Sequence, residues 1–332
     1  MKTFFFFATP VLLIIFVLAG SFLWWTNVVS APGATSSEKR ILIKKGASAA
    51  SIGQELEEKG VVKSAFAFKL YTQINNLTKK VPPGEFVIPT NLTLEEVVDV
   101  LVKGPKELWV TIPEGFRREE IADRFLESLE LSGADASAFR SEFLLLSKDL
   151  EGYLFPDTYL FSRDVTAQNA VNRIKTTFNQ KIANDLSGLL SESKITLSEA
   201  VVLASIIERE TLTEEERPTV AGILLNRLEI GMPLQADATV QYALGTKECV
   251  GKIDCDWWQT PTKDDLKLSS PFNTYLNPGL PPHAIANPGL TSLKAALSPE
   301  ESDYLYYIHD ADGQIHYAKT LDEHNRNISL YL

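Results

Sequence analysis

The most apolar segment of the folded chain lies beyond its midpoint and has the pattern of a buried helix. Residues 196–210 begin with Thr196 and Glu199 at the spacing of a capping box, which marks a helix N-terminus. Between residues 200 and 207 the one polar side chain is Ser205, and a helix that is apolar on nearly every face is buried. We therefore predict a buried central helix over residues 196–210.

The N-terminal part of the folded chain repeats a strand, a turn and a helix three times, and a second helix, residues 64–74, is inserted in the first unit. Small α/β units of this kind suit a binding module and equally suit plain scaffolding. The predicted strand and helix of the three units are 40–45 with 48–59, 85–88 with 93–102, and 108–112 with 117–129.

After residue 150 the pattern becomes more varied. The aromatic-rich residues 150–161 predict a strand–turn–strand passage. In residues 232–244, polar side chains including Gln235 and Asp237 alternate with apolar ones, as in a half-exposed strand. The other predicted elements are a helix over 167–186, an amphipathic helix after Pro218 capped by Gly231, a hairpin of 304–309 and 315–319, and a helix over 321–328.

The N-terminal segment is apolar enough to suggest a membrane anchor. Residues 4–25 contain no charged side chain, and this span matches the ~20 residues that cross a bilayer. Trp24 and Trp25 stand where an interfacial aromatic belt would lie. The rival interpretation is a cleaved signal peptide, but its apolar core would be longer than the usual ~7–15 residues. We favour a retained anchor, with Lys2 in the cytoplasm and the rest of the chain exported.

Composition and charge narrow the classes of function. The chain has 332 residues, 45% of them hydrophobic, and a formal net charge of −11. This composition is that of a globular protein with room for an anchor and one or two domains. The acidic balance argues against a nucleic-acid partner, because phosphate binding needs a basic surface. No glycine-rich phosphate loop occurs in the sequence, so we expect no nucleotide cofactor.

Glu208 is the first acidic residue after the apolar run of the central helix. At the C-terminal end of a buried helix, low dielectric and the negative end of the helix dipole would both disfavour its charged form. A carboxyl group that keeps its proton is what a general acid needs. The plainer interpretation is a solvated acidic surface made by Glu208, Glu210 and residues 214–216, since most acidic side chains are exposed.

The cysteines predict a structural disulfide, and the histidines do not predict a metal site. Cys249 and Cys255 lie in residues 246–262, which we interpret as a surface excursion, and in an exported protein they predict a structural disulfide. We expect it to contribute little to global stability, because the loop it closes is short. The four histidines all follow residue 280, but His309 and His316 lack a third ligand at a recognisable spacing, so we predict no metal site.

Five motifs together resemble the endolytic murein transglycosylase family of bacterial cell envelopes (MltG, or YceG-like proteins). In order over roughly residues 40–330, they are LEGYLFPDTY, LASIIERET, AGILLNRL with GMPLQADATVQYAL, FNTY with GLPP, and DEHN. The chain departs from the family pattern at FNTY, where YNTY is expected, and at LPPHAI, where LPPGPI is expected. Compared with the family pattern, the cysteine-bearing segment looks like an insertion.

The resemblance implies an α+β protein with a single N-terminal transmembrane helix, a small LysM-like α/β subdomain and a mixed α/β catalytic domain. It also implies single-pass insertion in the bacterial inner (cytoplasmic) membrane, with the C-terminal domain in the periplasm or outside the cell. The corresponding segments are a cytoplasmic N-terminus at 1–3, an anchor at 4–26, a tether at 27–39, a glycan-binding subdomain at 40–105 and a catalytic domain at 106–332.

The activity implied by the resemblance is cleavage of MurNAc–GlcNAc bonds within nascent peptidoglycan strands, without a cofactor, leaving 1,6-anhydroMurNAc ends. Glu208 falls on the catalytic glutamate of the family, as general acid and base. The implied partners are glycan strands, the inner membrane and cell-wall synthases. The residues we expect to position sugars are Tyr153, Gln235, Asp237, Asn273 and Tyr275.

Two hypotheses from other classes remain open. A hydrolytic muramidase would use Asp237 as a second carboxyl group to activate water and would leave reducing ends. A non-catalytic peptidoglycan-binding scaffold would rely on the N-terminal units, with Glu208 as a structural residue. The products formed from purified glycan strands would distinguish these possibilities.

Overall fold

The computed structural model describes residues 2–105, 107–252 and 255–332, with side chains from residue 15 onward. The chain forms two compact units. One comprises the residues up to Leu108 together with Leu160–Asp164, and the other comprises Trp109–Tyr159 with Val165–Leu332. Helices predominate in both, and the strands form two-stranded sheets, which confirms the predicted α+β class. The predicted domain limits at 40–105 and 106–332 remain predictions.

The first unit is built from short helices around one antiparallel strand pair, in which Ile41 lies opposite Phe86 and both side chains are buried. Serine or threonine side chains cap its three helices after the first, at Ser48, Ser64 and Thr93. Its elements are α1 (Lys2–Val29), β1 (Glu38–Ile43), α2 (Ala49–Glu58), α3 (Ala65–Ile74), β2 (Gly84–Pro89) and α4 (Leu94–Lys103).

Helix α1 bears on the predicted anchor. Its C-terminal residues Trp25, Val28 and Val29 pack against the core of the first unit. The predicted tether, 27–39, therefore overlaps the end of α1 and the start of β1. In the part of the chain that the structure describes, we find no helix both long and apolar enough to cross a membrane. The predicted anchor, 4–26, lies partly outside the residues whose side chains are described.

The second unit is mainly helical, and its C-terminal hairpin pairs two strands in antiparallel register. Strands β3 (Glu107–Thr111) and β4 (Thr158–Ser162) each have residues in both units. The other elements are α5 (Arg118–Leu129), α6 (Gly133–Leu146), α7 (Ala167–Lys181), α8 (Ser187–Glu192), α9 (Leu197–Glu210), α10 (Arg217–Glu229), α11 (Asp237–Cys249), α12 (Leu290–Leu297), β5 (Tyr306–His309), β6 (Ile315–Ala318) and α13 (Leu321–Tyr331).

Helix α9 is the predicted central helix, and its prediction is confirmed. Thr196 and Glu199 form the predicted capping box, with each residue's side chain accepting from the other's backbone N–H. All residues from Ala200 to Ile207 are buried, and α9 packs against α10, α11 and α12. Ser205, the polar residue of this run, donates to Val202 O and accepts from Ile285 N, so its hydroxyl is satisfied inside the core.

Three predictions of local structure were wrong. Residues 150–161 form turns followed by the single strand β4, because Gly152 has a left-handed φ of +88° and any Cβ there would collide with Val201 and Ala284. Residues 232–244 do not form a strand, since α11 begins at Asp237 and is buried on several faces. The surface excursion is also smaller than predicted, because Cys249 ends α11 in the interior and Trp257 is buried.

Candidate active site

Glu208 lies in the last turn of α9, and its side chain is 6% exposed. Its Oε1 accepts a hydrogen bond from Arg217 Nη2 at 2.8 Å. Its Oε2 accepts from the Gly289 backbone N–H at 2.9 Å and from Ser292 Oγ at 2.8 Å. Three donors, one of them charged, therefore fix the orientation of the carboxylate and stabilise its negative charge.

The start of α12 explains part of this arrangement. Gly289 is the N-cap of α12, and its hydrogen side chain cannot cap the helix. The Glu208 carboxylate lies at this helix end, where unpaired N–H groups and the positive end of the helix dipole favour an anion. Glu208 is thus at the C-terminus of one helix and at the N-terminus of another. The sequence predicted that the C-terminus of α9 disfavours the negative charge of Glu208, whereas the N-terminus of α12 favours that charge.

A second carboxyl group, that of Glu114, lies beside Glu208. Arg217 Nη2 also lies 3.5 Å from Glu114 Oε2, so one guanidinium nitrogen faces both carboxylates. Burial and the charge of Glu208 raise the pKa of Glu114, and Arg217 opposes that shift. The Glu114 carboxyl packs directly on Gly289, where a Cβ atom would overlap it.

Asn287 holds the loop that carries Glu114. Its carbonyl oxygen accepts from Gly115 N at 2.9 Å, and both its backbone N–H and its Nδ2 donate to Phe116 O at 2.9 Å. Its Oδ1 accepts from Gly152 N at 2.9 Å and from Leu154 N at 2.8 Å. Because Asn287 is fully buried and precedes Gly289 by two residues, it ties the Glu114 loop to the N-terminus of α12.

Beneath this loop lies a buried group of charges around Glu151. Glu151 Oε1 accepts from Arg118 N at 3.1 Å and from Asn287 Nδ2 at 2.9 Å. Burial, followed by the charge of Glu119, raises the pKa of Glu151 to about 8, while Arg117 and Arg118 act in the opposite direction. Glu151 therefore carries a proton near neutral pH and belongs to the supporting structure.

Asp237 and Tyr275, both expected to position sugars, are brought together. Tyr275 donates its hydroxyl to Asp237 Oδ1 at 2.6 Å, and Asp237 is exposed at the first turn of α11. Glu210, two residues after Glu208, accepts from Ala238 N at 3.4 Å and from the Tyr307 hydroxyl at 2.9 Å. Burial raises the pKa of Glu210. The C-terminus of α9 thus carries two carboxyl groups in separate networks.

The other expected sugar-positioning residues differ in exposure. Gln235 is exposed and has a left-handed φ of +52°, a conformation that is uncommon outside glycine and clusters at functional sites. Tyr153 is half-buried, with its ring 5.1 Å from that of Phe178. Asn273 is fully buried, and its amide bonds Leu266 O, Leu268 O and Tyr275 N. The expected contact of Asn273 with sugar is therefore corrected to a role in shaping the loop that presents Tyr275.

The segment after α11 reaches α9. Cys249 and Cys255 are joined by a disulfide, with their Cα atoms 5.6 Å apart. The indole ring of Trp258 lies 3.9 Å from the guanidinium carbon of Arg209, the residue after Glu208. Trp258 also donates Nε1–H to Glu120 Oε2 at 3.0 Å, at the start of α5.

The histidines that suggested a metal site are paired with acids. His309 Nε2 lies 3.0 Å from Glu216 Oε2, and His316 Nε2 lies 2.8 Å from Asp310 Oδ2. Within residues 2–105, 107–252 and 255–332 no group of three or more His, Cys, Asp or Glu side chains is arranged to hold a metal ion.

Sequence reasoning missed Glu114, Arg217, Ser292 and Glu210. Glu114 stands in Pro113-Glu114-Gly115, which the pattern marked merely as a turn between predicted elements. Arg217 lies nine residues from Glu208, and Ser292 lies 84 residues from it. An acid between proline and glycine was the one available signal for Glu114, whereas Arg217 and Ser292 had none.

The fold and the site define a mixed α/β protein with a buried, hydrogen-bonded carboxylate, and the comparisons with known proteins identify its family. The model of the YceG-like family matches residues 41–330, so the chain belongs to that family. The resemblance found in the five motifs is therefore confirmed.

The chain is similar to proteins named endolytic murein transglycosylase from two bacteria. It is 28% identical to that of Bacillus subtilis over 88% of this chain and 84% of the relative. It is 28% identical to that of Streptococcus pneumoniae over 86% of this chain, and it spans 57% of that relative. A crystal structure of a YceG-like protein from Listeria monocytogenes matches with a TM-score of 0.56 and 30% identity, over 88% of this chain and 99% of that chain.

Proposed function

We propose that this chain is a membrane-anchored endolytic peptidoglycan lytic transglycosylase in which Glu208 is the general acid and base. The names of the relatives support the class of enzyme. The observation that carries the residue assignment is the fixed carboxylate of Glu208, held by Arg217, Gly289 and Ser292 at the end of a buried helix.

The reaction needs one proton donor and one proton acceptor. In the first step the Glu208 carboxyl donates its proton to the oxygen of the MurNAc–GlcNAc bond, the bond to C1 breaks, and the electron pair stays on the departing oxygen. The resulting carboxylate is the state that the three donors stabilise. In the second step it accepts the proton of the MurNAc C6 hydroxyl while that oxygen bonds to C1. The 1,6-anhydro ring closes, and Glu208 regains its proton.

Sugar binding is proposed for four of the expected residues. Asp237 and Tyr275 form one hydrogen-bonded pair, and Gln235 is exposed nearby in the chain, with its backbone N–H donating to Thr274 O at 3.2 Å. Tyr153 presents a half-buried ring. Hydroxyl, amide and carboxylate groups match the hydroxyl and acetamido groups of the glycan, and aromatic rings stack on sugar faces.

The location and partners are further parts of the proposal. The uncharged residues 4–25 support a single-pass anchor in the inner membrane, with the catalytic domain outside the cytoplasm. The first compact unit contains the predicted LysM-like subdomain, 40–105, which would hold the glycan strand. Nascent strands at the membrane would bring the enzyme close to cell-wall synthases.

A second candidate is a hydrolytic muramidase, and the exposure of Asp237 favours it. Asp237 is an exposed carboxylate fixed by a 2.6 Å hydrogen bond, which is suitable for activating water. In that reaction water supplies the oxygen to C1 and the product has a reducing end. The two activities therefore differ by one water molecule in product mass.

Substitution of the acid tests the proposal. Glu208→Gln keeps the shape of the side chain but has no transferable proton, so activity on soluble glycan strands should fall by ~10²–10⁴-fold or more. Thermal unfolding and glycan binding should change little. Glu215→Gln, which removes an exposed acid between α9 and α10, is the matched control and should remain active. Substantial activity in folded Glu208→Gln would remove the residue from its role.

Mass spectrometry of the products separates the two candidate reactions. The wild-type chain should release anhydromuramic ends, and Asp237→Asn should keep partial activity because Asp237 only positions sugar. Reducing ends from the wild type together with an inactive Asp237→Asn variant would assign the hydrolytic reaction instead.

A further inference from the structure

Helix α3 carries an exposed apolar face. Phe66 and Ile74 are 63% and 67% exposed, and Leu70, midway between them, is half-buried. Side chains four residues apart lie on the same side of a helix, so these three form one row, which we call the apolar stripe. Ala67 and Phe68, on the other side of α3, are buried in the core. A row of large, exposed apolar side chains marks a contact surface.

The apolar stripe adjoins the C-terminal end of α1. The ring of Phe66 lies 6.1 Å from the ring of Trp24, which is 43% exposed. Lys63, in the turn before α3, donates from Nζ to Asn27 O at 3.2 Å and to Ser30 Oγ at 2.8 Å. These contacts hold the N-terminus of α3 beside the last turns of α1.

The apolar surface continues from the stripe along α1. No charged residue occurs between residues 4 and 25. Six large apolar side chains of α1 are 55–81% exposed, namely Ile15, Phe16, Val17, Leu18, Phe22 and Leu23. Trp24 therefore joins two exposed apolar surfaces, that of α1 and that of α3.

The segment that contains α3 is basic, although the whole chain has a net charge of −11. Residues 59–84 contain five lysines and no acidic residue. Three of these lysines, Lys69, Lys79 and Lys80, are exposed on α3 and in the loop after it, and we call them the lysine group. This distribution of charge favours an anionic partner at the apolar stripe.

Acidic side chains from the neighbouring helices act on other parts of α3. Glu57 of α2 accepts from Ala65 N at 3.1 Å, at the N-terminus of α3. Glu95 and Asp99 of α4 act electrostatically on Tyr71, which packs against the core. The charges beside the apolar stripe are thus mainly those of lysine.

We propose that the exposed face of α3 docks on an anionic lipid bilayer, with the apolar stripe among the headgroups and the lysine group on lipid phosphates. An apolar helix face flanked by lysines is typical of a helix that lies in the membrane interface. Lysine stems cover apolar surface while their ammonium groups reach the phosphates. Lipid is the partner that fits, because the stripe is continuous with uncharged α1. The inference rests on the proposed membrane anchor, and it adds a second contact that fixes the first unit against the bilayer.

The full-length protein, reconstituted in vesicles, tests this docking. Ile74→Cys can carry an environment-sensitive fluorophore, and the native cysteines stay unlabelled because they are joined in a disulfide. In vesicles that contain phosphatidylglycerol, nitroxide-labelled lipids should quench this fluorophore. Quenching should fall in pure phosphatidylcholine and at high salt, because the lysines then lose their electrostatic attraction. The same fluorophore at Glu58→Cys, an exposed site on α2, should be quenched less.

Substitution of the lysine group separates docking from mere closeness to α1. Each lysine near an anionic surface contributes about fivefold to binding, so the triple variant K69Q/K79Q/K80Q should lower the ratio of docked to undocked protein by roughly 100-fold. Phe66→Ser should lower it as well, because it interrupts the apolar stripe. The matched control is K175Q/K194Q/K263Q, which removes three exposed lysines from the second unit and should behave as the wild type. Thermal unfolding monitors the fold of each variant.

Two results would overturn the inference. One is equal quenching at position 74 in both lipids and in the triple variant, which would show that α1 alone brings α3 near the bilayer. The other is a response of the fluorophore to soluble polyphosphate but not to phosphatidylglycerol, which would assign the lysine group to an anionic polymer. Either result leaves the anchor in place, whereas extraction of the wild-type protein from vesicles by alkaline carbonate would remove the proposed anchor itself.

Discussion

The backbone nitrogen of Gly289 donates to Glu208 Oε2 at 2.9 Å, while its Cα faces the carboxyl of Glu114 so closely that a Cβ would overlap it. One glycine therefore contacts both acids, by its backbone on one side and by its missing side chain on the other. Its φ of −74° is open to any residue, so close approach and not backbone conformation requires glycine here.

Gly289→Ala should consequently displace Glu114 without disturbing Glu208. The Glu114 carboxyl is the flexible end of a part-exposed side chain and can move away, so unfolding free energy should change by less than about 1 kcal/mol. Because Glu208 keeps its three donors when Glu114 is displaced, cleavage of soluble glycan strands should remain close to that of the wild type. A cleavage assay and a denaturant titration measure the two effects. A large loss of stability, or a loss of cleavage, would contradict this account of Gly289.

The clamp formed by Asn287, meaning the hydrogen bonds that its side chain makes to Gly152, Leu154, Glu151 and Phe116, should be essential to the stability of the fold. Asn287→Ala removes the acceptor of Gly152 N and of Leu154 N in a fully buried site, and it removes one of two donors from Glu151 Oε1 and from Phe116 O. Each of the two orphaned N–H groups costs ~1–3 kcal/mol, so the free energy of unfolding should fall by about 3–5 kcal/mol. Urea titration measures this loss. Asn179→Ala, on an exposed face of α7, is the control and should change stability little. Equal stability of the two variants would show that the clamp is not needed.

The sequence predicted best those elements whose signals are local. The capping box of Thr196 and Glu199 and the apolar run after it predicted α9 to within one residue at its start. Helix α11 was taken for a strand because it is buried on several faces, so its polar residues do not follow a helical period, and Gln235 and Asp237 happen to alternate. Helix α6, with Phe139 and Phe143 in the core, was missed.

In the candidate active site, too, the sequence predicted only what a local signal marks. Glu208 was found because it follows a buried helix in the sequence itself. Glu114 and Arg217 are separated by 103 residues and meet at Glu208 through tertiary packing alone. The sequence also predicted a proton-holding environment from α9, but the donors that oppose it come from α10 and α12. A pattern in one segment cannot reveal what another segment brings to it.

The disulfide should contribute a small share of stability. Replacing both Cys249 and Cys255 by alanine opens a link between residues six apart, and the chain-entropy model gives about 2 kcal/mol for so short a loop. Cleavage of soluble strands should be retained, because Trp258 is also held by Arg209 and Glu120. Urea titration and the cleavage assay measure both effects. Loss of folding in the variant, or free thiols in protein taken from its native compartment, would contradict the assignment.

Stability should also depend on pH through Glu151. Burial raises the pKa of Glu151 to about 8 in the folded chain, whereas in the unfolded chain it is near the ordinary glutamate value of about 4.3. Between these values the folded chain holds a proton that the unfolded chain has lost. The stability that the neutral group contributes is therefore complete below about pH 4, declines as pH rises, and is lost above about pH 8. Melting temperatures measured from pH 5 to about 8 should fall in the wild type and fall less in Glu151→Gln, which is neutral throughout. Glu142→Gln, at an exposed site on α6, should retain the slope of the wild type. Parallel slopes in wild type and Glu151→Gln would mean that Glu151 is ionised in the folded chain and that the arginines beside it outweigh its burial.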